Sequence, residues 1–379
     1  MDVVTHNPRC WAEIDPGALR HNVGVVRENI GPHPGIMAIV KAEAYGHGAT
    51  EVARAIAGLV QMFGVADVRE ARRLREAVPD AKIFILGTAL PDERGEIVRG
   101  GFLPTVSSSG EAAAFGALAG GQPVAVHIDI DTGMGRIGVS GDDAIAEIEK
   151  IAALPRVEIA GISTHLPVAD EDEEFTVEQL AHFEKIVSQL RARGVHAPLV
   201  HSLNSAGVIR FPGHAQGMVR AGLMLYGSSP VPDFQKRLRP VMTLKTRVTL
   251  VREFGAGRSV SYGRTFLTPR PMRVATLGIG YADGFRRHLS GSGADVLIAG
   301  HRCPLLGRVT MDQIMADVSA LPHIAPGEEA VLIGRQGAEE ILAAELAQKA
   351  GTIAWEIFTG IGPRVERRAI EDFRFQISD

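Results

Sequence analysis

Eight alternations of a short apolar run with a helical pattern extend from Ile36 to about Tyr226, and they constrain the fold of this chain most strongly. The candidate strands are IMAIVK, QMFGVA, AKIFIL, GFLPTV, VAVHIDI, EIAGIS, LVHSL and GMVRAG. Between them, stretches such as DVREARRLREAV place apolar residues three and four positions apart, which is typical of a helix with one buried face. Eight strand and helix units predict an α/β fold, a (β/α)8 TIM-like barrel.

After about Pro230 the pattern changes to strands and turns with few helices. The candidate strands there are VMTLKTRVTLVREF, RSVSYGRTF, MRVATLGIGYADGF, ADVLIAG, IMADV and EEAVLIG, and the proline-rich stretch SSPVPDFQKRLRP is the predicted linker. A chain of 379 residues, 45% of them apolar, exceeds the usual size of one core. We therefore predict a barrel over residues 1–235 and a mostly β C-terminal domain over residues 236–379.

Composition restricts the class of partner. The formal net charge is −4 with both signs interspersed, which leaves no basic stripe for nucleic acid and no block of like charge for a membrane surface. The chain lacks a basic start followed by an apolar stretch, and it has no apolar run long enough to span a bilayer. Cys10 and Cys303 show neither a disulfide framework nor metal-ligand spacing, so both are predicted to be packing residues. We expect a cytoplasmic protein without a metal that binds a small molecule.

Lys41 is the first residue with a chemical implication. It follows a buried, β-branched run and precedes a glycine-rich turn. A lysine held there loses hydration, which disfavours its ammonium form and leaves an amine able to condense with an aldehyde such as pyridoxal phosphate. Alternatively, Lys41 ends the strand and extends into solvent.

Other polar residues follow the ends of later candidate strands. Because the working residues of such barrels lie at the carboxyl ends of the strands, we expect these residues to share one face with Lys41. They are Asp131 and Arg136 after the fifth run, His165 after the sixth, Asn204 and Ser205 after the seventh, and Arg220 on the eighth.

The segment VKAEAYGHG, residues 40–48, closely resembles the pyridoxal-phosphate lysine motif of the alanine racemases. The motifs DTGMGR, STH, NSA, MVRAGLMLYG, VSYGRTF, GYADG and GRVTMDQ follow in the order of that family, so the resemblance covers almost the whole chain. It implies a pyridoxal-phosphate-dependent enzyme that interconverts L- and D-alanine, acts as a homodimer and supplies D-alanine for peptidoglycan.

The resemblance also assigns cofactor contacts. Lys41 holds the cofactor, Arg220 faces its ring nitrogen, His165 packs on the ring, and Arg136 meets its phenolic oxygen and the substrate. An arginine keeps its proton, so the ring nitrogen stays unprotonated and withdraws electrons less strongly, which suits a racemase. The remaining implied contacts, mostly to the phosphate, are Tyr45, Asn204, Ser205, Gly222, Leu223 and Trp355. From the residues alone, Arg220 could be a structural ion pair, and Asn204 with Ser205 could be an ordinary helix cap.

Racemisation needs an acid or base on each face of the α-carbon, because removal and return of a proton on one face restores the starting enantiomer. Lys41 can serve one face, and the resemblance assigns the other to Tyr262 of a partner subunit. Met311 would offer its backbone N–H to the substrate carboxylate across the same dimer. The residues that match the family's substrate corridor are Val168, Asp170, Tyr281, Arg287 and Arg308.

Two positions depart from the family pattern. Asp129 stands where a carbamylated lysine is frequent, and we hypothesise that it acts on Arg136 through water or a bound anion. Trp355 in TIAWEI stands where a tyrosine is usual, so the N–H donor remains but the hydroxyl is lost. The larger ring could narrow the pocket, or it could pack elsewhere and leave room for substrates larger than alanine.

Three alternatives to alanine racemisation stay open. The nearest is a racemase of serine or of a broader set of amino acids. A decarboxylase of the same fold class would pair the ring nitrogen with a carboxylate, whereas this chain offers Arg220. A cofactor carrier without catalysis would leave Tyr262 and Met311 without a role.

Overall fold

The structure, a computed structural model, describes residues 8–370. Backbone contacts divide these residues into two compact units. The barrel unit comprises residues 19–44 and 49–239, and the β unit comprises residues 8–18, 45–48 and 240–370.

The barrel unit is built on eight parallel strands in one sheet, and the two-residue strand Val139–Ser140 adds a ninth beside Val124–Asp131. In chain order, barrel strands one to eight are Gly35–Ile39, Met62–Val65, Ile83–Thr88, Leu103–Val106, Val124–Asp131, Val157–Ser163, Leu199–His201 and Met218–Ala221. Strand eight pairs with strand one. On its other side it meets strand seven, because the N–H groups of Gly217 and Arg220 donate to the carbonyls of Val200 and Leu203 at 3.0 and 2.9 Å. The ring of eight strands confirms the predicted TIM-like fold.

Helices alternate with these strands, as their sequence periodicity predicts. Asp67 shows how one begins, because its carboxylate accepts the N–H groups of Arg69 and Glu70 and so caps Val68–Ala77. That helix buries Val68, Ala71 and Leu74 on one face. The α-helices up to residue 239 are Pro16–Ile30, Lys41–Gly46, Ala49–Ile56, Val68–Ala77, Arg94–Arg99, Ser109–Ala117, Ala144–Ala152, Glu173–Ala192 and Ser205–Arg210, and the 3-10 turns are Pro212–His214, Leu223–Tyr226 and Pro232–Arg237.

The β unit is mostly β, as predicted for the C-terminal part of the chain. Its long strand Met242–Phe254 pairs with three others, among them the N-terminal strand Cys10–Ile14, which is absent from the predicted strands. The further strands are Ser259–Val260, Phe266–Leu267, Met272–Leu277, Asp295–Ile298, His301–Pro304, Ile314–Asp317, Glu329–Gln336, Glu339–Ile341 and Glu366–Ala369. The helices are Ala343–Ala350 and Ala354–Thr359, with 3-10 turns at Tyr262–Arg264, Tyr281–Asp283 and Arg287–Leu289.

Candidate active site

The carboxyl ends of the barrel strands carry the predicted polar residues. Lys41 follows strand one directly after Val40, Asp131 ends strand five, and His165 follows strand six. Asn204 and Ser205 follow strand seven, and Arg220 lies on strand eight. In a parallel barrel these ends share one face, where the structure places the predicted cluster.

Lys41 opens an unusual helical turn, Lys41–Gly46. Ala42, Glu43, Ala44 and Tyr45 all have φ between +52° and +54°, so the turn is left-handed over four consecutive non-glycine residues. Left-handed backbone costs an L-residue roughly 1–2 kcal/mol, so the surrounding structure must hold the turn in place. In the barrel unit the Ala44 N–H donates to the Val40 carbonyl at 2.9 Å, and the Ala42 N–H donates to the Glu70 carboxylate at 2.8 Å.

The electrostatic surroundings of Lys41 favour its neutral amine. Burial lowers the pKa of Lys41, and the nearby guanidiniums of Arg136 and Arg220 lower it further, against the opposing effect of Glu70. The amine is therefore a better nucleophile and a better proton acceptor than that of a solvated lysine.

Arg220 is almost fully buried and donates five hydrogen bonds from its two terminal nitrogens. The acceptors are the carbonyls of Thr164 (2.7 Å), His201 (3.0 Å) and Ser202 (3.0 Å) and the Nδ1 atoms of His201 (2.7 Å) and His165 (3.2 Å). Every acceptor is neutral, so the structural ion pair considered above is not what holds this guanidinium. Burial lowers the pKa of Arg220 to about 10, which still leaves it cationic at neutral pH.

Two buried histidines beneath Arg220 were missed by the sequence analysis. Arg220 can only donate, so Nδ1 of His201 accepts, and its Nε2–H donates to Nδ1 of His127 at 3.1 Å. Burial, reinforced by the charge of Arg220, lowers the pKa of His127 to about 4 and that of His201 well below its usual value, so both rings are neutral. The available signal was the spacing of His127, Asp129 and Asp131 at alternate positions of an otherwise apolar strand, which puts them on one side.

The DTGMGR loop is shaped by Asp131. Its carboxylate accepts the N–H groups of Gly133, Met134 and Gly135 at 2.9 to 3.1 Å. Burial opposes ionisation, but these hydrogen bonds outweigh it and lower the pKa of Asp131. Gly133 and Gly135 have φ of +141° and +67°, which explains the two glycines, and the loop presents Arg136 on its exposed side.

Asp129 is buried and lies two residues before Asp131 on the same strand. Its Oδ1 accepts a hydrogen bond from the Ser163 hydroxyl at 2.7 Å. Burial raises the pKa of Asp129 to about 6, although Ser163, Arg220 and Arg136 act in the opposite direction. The carboxylate is close enough to Arg136 to interact electrostatically, which is compatible with the hypothesis of an indirect contact.

The predicted phosphate contacts of the barrel unit cluster around Ser205. Its Oγ accepts the N–H of Gly222 at 3.0 Å and that of Met224 at 3.4 Å, so strand eight and the start of Ser205–Arg210 are tied together. Asn204 is the cap of that helix, because its Oδ1 accepts the Gly207 N–H at 3.0 Å, while its Nδ2 donates to the Leu166 carbonyl at 2.9 Å. Leu223 begins the 3-10 turn directly after Gly222.

Tyr45 is held within the β unit together with the residues that follow it. It is buried, and burial raises the pKa of its hydroxyl to about 12, so the hydroxyl remains a hydrogen-bond donor. Nδ1 of His47 lies 2.9 Å from the Tyr45 carbonyl oxygen, and the Arg367 guanidinium donates to the Gly46 carbonyl at 2.9 Å. A Cβ on Gly46 would lie 2.2 Å from the Phe358 carbonyl oxygen, so glycine is required there.

Tyr262 and Met311 lie on neighbouring exposed turns of the β unit. Tyr262 is 72% exposed and Met311 is 52% exposed, which is unusual for a tyrosine and a methionine. The Met311 turn is fixed by the GYADG motif, since the N–H groups of Tyr281 and Ala282 donate to the carbonyls of Thr310 and Met311 at 3.0 Å.

The remaining predicted residues divide between the two units. Val168 and Asp170 lie in the loop after barrel strand six. Arg287 and Arg308 lie in the β unit near the turns just described, and Trp355 is half-buried on the short helix Ala354–Thr359. Within residues 8–370, no group of three or more His, Cys, Asp or Glu side chains is arranged to hold a metal ion. No helix in that same range is long and apolar enough to cross a membrane.

Comparison with known proteins identifies the family. The profile of the alanine racemase N-terminal domain matches residues 14–230, and that of the C-terminal domain matches residues 241–369. The chain belongs to the alanine racemase family. The alanine racemase of Halothermothrix orenii is 42% identical over 364 residues, which cover 94% of this chain and 96% of that protein. The Nostoc enzyme is 40% identical and covers 95% of each chain.

Solved structures of the family are similar to this chain over almost its whole length. Alanine racemase from Clostridium difficile superposes with a TM-score of 0.90 at 32% identity and covers 97% of both chains. The Bartonella henselae enzyme, solved with covalently bound pyridoxal phosphate, gives a TM-score of 0.88 at 28% identity over 96% of this chain and 100% of that one. The alanine racemase family is pyridoxal-phosphate-dependent.

The barrel residues fit such a cofactor on their own chemistry. The guanidiniums of Arg136 and Arg220 lie close enough to Lys41 to lower its pKa, and none of the five acceptors of Arg220 is a carboxylate. A site with this excess of positive charge suits a dianionic phosphate and a phenolate oxygen.

Proposed function

We propose that this protein interconverts L- and D-alanine with pyridoxal phosphate, as a cytoplasmic homodimer that supplies D-alanine for peptidoglycan. The observation that carries the proposal is Lys41, a lysine of lowered pKa beside two guanidiniums at the carboxyl end of a barrel. The similarity to alanine racemases over 94–95% of the chain supports the proposal.

Several residues would hold the cofactor, each at a different part of the molecule. Lys41 would hold it covalently, Arg220 would face its ring nitrogen, Arg136 its phenolic oxygen, and His165 the plane of its ring. Its phosphate would be met by Tyr45, Ser205, Gly222 and Leu223, with Asn204 and Trp355 nearby. When bound, pyridoxal phosphate supplies the electron sink that makes the α-proton of an attached amino acid removable.

Arg220 would act by staying protonated in one orientation. Its five hydrogen bonds fix both terminal nitrogens, and none of them uses Nε, which remains the donor for a ring nitrogen. A guanidinium that keeps its proton moderates the pull of the ring on the substrate electrons. Moderate activation favours return of the proton over further reaction.

Proton transfer would use one residue on each face of the substrate α-carbon. Lys41, released by substrate, would accept the proton as an amine or return it as an ammonium on one face. The hydroxyl of Tyr262 from the partner subunit serves the other. Met311 of the partner subunit would direct its N–H at the substrate carboxylate.

The exposure of Tyr262 and Met311 supports this division between subunits. Both residues are more than half exposed in the single chain, as expected of residues that complete a neighbour's site. The barrel domain, residues 1–235, would hold the cofactor, and the β-rich domain, residues 236–379, would complete the site of the second chain. Val168, Asp170, Tyr281, Arg287 and Arg308 would line the route by which substrate enters.

A chiral assay tests the proposal. The purified protein, supplied with pyridoxal phosphate, is offered L-alanine and L-serine separately, and the D-enantiomer is measured over time. We expect fast D-alanine with little D-serine, and no D-alanine from Lys41→Ala. Lys82→Ala is the matched control, because Lys82 is exposed at the opposite, amino end of barrel strand three.

The other outcomes each identify an alternative. Comparable turnover of both amino acids would indicate a racemase with a broader substrate range, in which Trp355 replaces the usual tyrosine. Release of carbon dioxide without a D-product would indicate a decarboxylase. Cofactor bound to Lys41 with no reaction of either amino acid would indicate a carrier and overturn the proposal.

A further inference from the structure

The backbone around Tyr262 is strained at Ser261, directly before it, and at Arg264, two residues after it. Ser261 has φ +65° and ψ −175°, a combination that is readily available only to glycine. Gly263 and Arg264 have φ of +71° and +50°. Tyr262 therefore lies on a turn that needs contacts with other segments to hold its conformation.

The support comes from the loop at residues 307–308 of the same unit. The Ser261 hydroxyl donates to the carbonyl of Arg308 at 2.6 Å. Gly307 has φ +67°, and a Cβ there would lie 2.5 Å from the Val260 carbonyl oxygen and 3.0 Å from the Ser261 Cβ. A Cβ on Gly263 would lie 2.9 Å from the Arg308 guanidinium. The loop therefore packs closely against the backbone before Tyr262, and the Arg308 side chain packs against the backbone after it.

The flank of the turn is anchored in the core of the β unit. Val260, which precedes Ser261, is 4% exposed and packs with Met272, Val274 and Leu306. Leu306 lies directly before the supporting loop, so one apolar cluster fixes both segments at their bases. Tyr262 itself is left exposed. Rigid support under an exposed residue on a strained turn is typical of a functional position rather than of a solvent turn.

We propose that Ser261 is a positioning residue that aims the Tyr262 hydroxyl by holding this strained turn through its bond to the Arg308 carbonyl. The inference rests on the proposed function, in which Tyr262 is one of the two proton-transfer residues. Glycine would adopt the backbone of residue 261 without strain, but it would lack the hydroxyl that ties the turn to the loop. Serine supplies that bond at the cost of strain.

Two substitutions separate the bond from the strain. Ser261→Ala removes the hydrogen bond and keeps the strained backbone, whereas Ser261→Gly removes the hydrogen bond and relieves the strain. Ser259→Ala is the matched control, because Ser259 is an exposed serine of the same short hairpin. The unfolding temperature and the absorption of the bound cofactor are recorded for each variant.

The decisive readout is the deuterium isotope effect on turnover of L- and D-alanine labelled at the α-carbon, measured separately. Each enantiomer loses its proton to a different residue, so poor aim of Tyr262 should raise the isotope effect for one enantiomer and not for the other. We expect this in both Ser261 variants, with turnover lowered about 10- to 100-fold, and with cofactor absorption unchanged. Ser261→Gly should be more stable than Ser261→Ala yet no more active.

Three outcomes would overturn the positioning role. They are wild-type isotope effects in both variants, an equal rise for both enantiomers, and recovery of activity in Ser261→Gly in parallel with its stability. Wild-type protein and Tyr262→Phe are assayed alongside. An inactive wild type, or an active Tyr262→Phe, would show instead that the proposed function has failed.

Discussion

At the scale of single residues, the carboxyl ends of the barrel strands carry positive charge that few nearby carboxylates balance. Arg220 is buried among neutral carbonyls and imidazoles, and its charge helps keep His127, His165 and His201 neutral. Asp129, a buried carboxylate whose charge acts on Arg220, has a raised pKa of about 6. Excess positive charge without a ligand is destabilising, so a bound anion should raise the stability of the fold.

The ionisation of Asp129 gives a pH-dependent prediction. Its folded pKa of about 6 exceeds its unfolded value of 3.8, so between these values the folded protein retains a proton that the unfolded chain has lost. The contribution to stability is full below pH 4 and is lost as pH rises through 6, a difference of about 3 kcal/mol. Asp129→Asn should therefore gain stability relative to wild type between pH 4 and pH 7, as measured by urea unfolding.

The control for this experiment is Asp142→Asn, because Asp142 is an exposed aspartate of the same barrel unit. It should track wild type at every pH. A constant difference between Asp129→Asn and wild type from pH 4 to pH 7 would contradict the prediction. The same variant tests the link to Arg136: unchanged cofactor affinity and rate would show that Asp129 does not serve that arginine.

At the scale of elements, the left-handed turn reverses the usual effect of glycine. Ala42 is exposed and has φ +52°, a conformation that costs an L-residue roughly 1–2 kcal/mol and glycine almost nothing. Ala42→Gly should therefore raise the free energy of unfolding by up to about 1 kcal/mol, after allowance for the greater entropy of the unfolded glycine chain.

Ala113→Gly is the matched comparison for Ala42→Gly. Ala113 is exposed in the right-handed helix Ser109–Ala117, where glycine should lower stability by about 1 kcal/mol. The same chemical change should thus have opposite signs at the two positions in chemical denaturation. Destabilisation of similar size at both positions would show that residue 42 is not left-handed.

Arg367 is the predicted anchor of the segment after that turn. Its guanidinium donates to the carbonyls of Gly46, Ile361, Gly362 and Val365 at 2.6 to 2.9 Å, which ties residues 45–48 to the C-terminal strand. Arg367→Met should lower stability by about 2–4 kcal/mol, because several carbonyls lose a charged donor. We also expect weaker retention of pyridoxal phosphate on dialysis, since Tyr45 lies in the anchored segment.

Arg368→Met is the control on the same strand. Arg368 is exposed and pairs only with Glu366 among the described residues, so its loss should change stability by less than about 1 kcal/mol. Equal losses of cofactor in the two variants would argue against a specific role for Arg367.

At the scale of the whole molecule, shared sites predict recovery of activity by mixing subunits. Lys41→Ala and Tyr262→Phe should each be nearly inactive alone. If every site takes Lys41 from one chain and Tyr262 from the other, mixed dimers contain one intact site. Random exchange should then restore about a quarter of wild-type activity.

Sites formed within single chains would give no recovery on mixing. The mixture is compared with each variant incubated alone after the same denaturation and refolding, and D-alanine formation is the measurement. Recovery that requires both variants would support the shared site, and its absence would contradict it.

The barrel could be predicted from sequence because its signals are local. Apolar runs of four to eight residues alternate with helical periodicity, and each unit pairs with its neighbour in the chain. The strand Cys10–Ile14 was missed because its partner, Met242–Phe254, is more than 200 residues away. RSVSYGRTF was predicted as one strand, but positive φ values at residues 261, 263 and 264 break it into two.

The identities of the candidate site residues could be predicted from sequence better than the conformation that these residues adopt. Lys41, Arg136 and Arg220 were identified by position and motif, yet nothing in alanine, glutamate or tyrosine signals left-handed backbone, because each favours the right-handed form. His127 and His201 were missed because they lie within apolar runs, and their contacts depend on the fold: His201 contacts Arg220, and His127 contacts His201. Contacts that depend on three strands meeting are not encoded in any one of them.

The turn after Lys41 has a consequence for the handedness of its building blocks. A φ near +52° is disfavoured for an L-amino acid and favoured for its mirror image, so Ala42 and Ala44 hold the backbone that D-alanine would adopt without strain. A semisynthetic chain with D-alanine at position 42 should fold to the same turn and be more stable than the natural chain. In the proposed racemase, the segment that carries the reactive lysine is thus better suited to the product's configuration than to the configuration from which the chain is built.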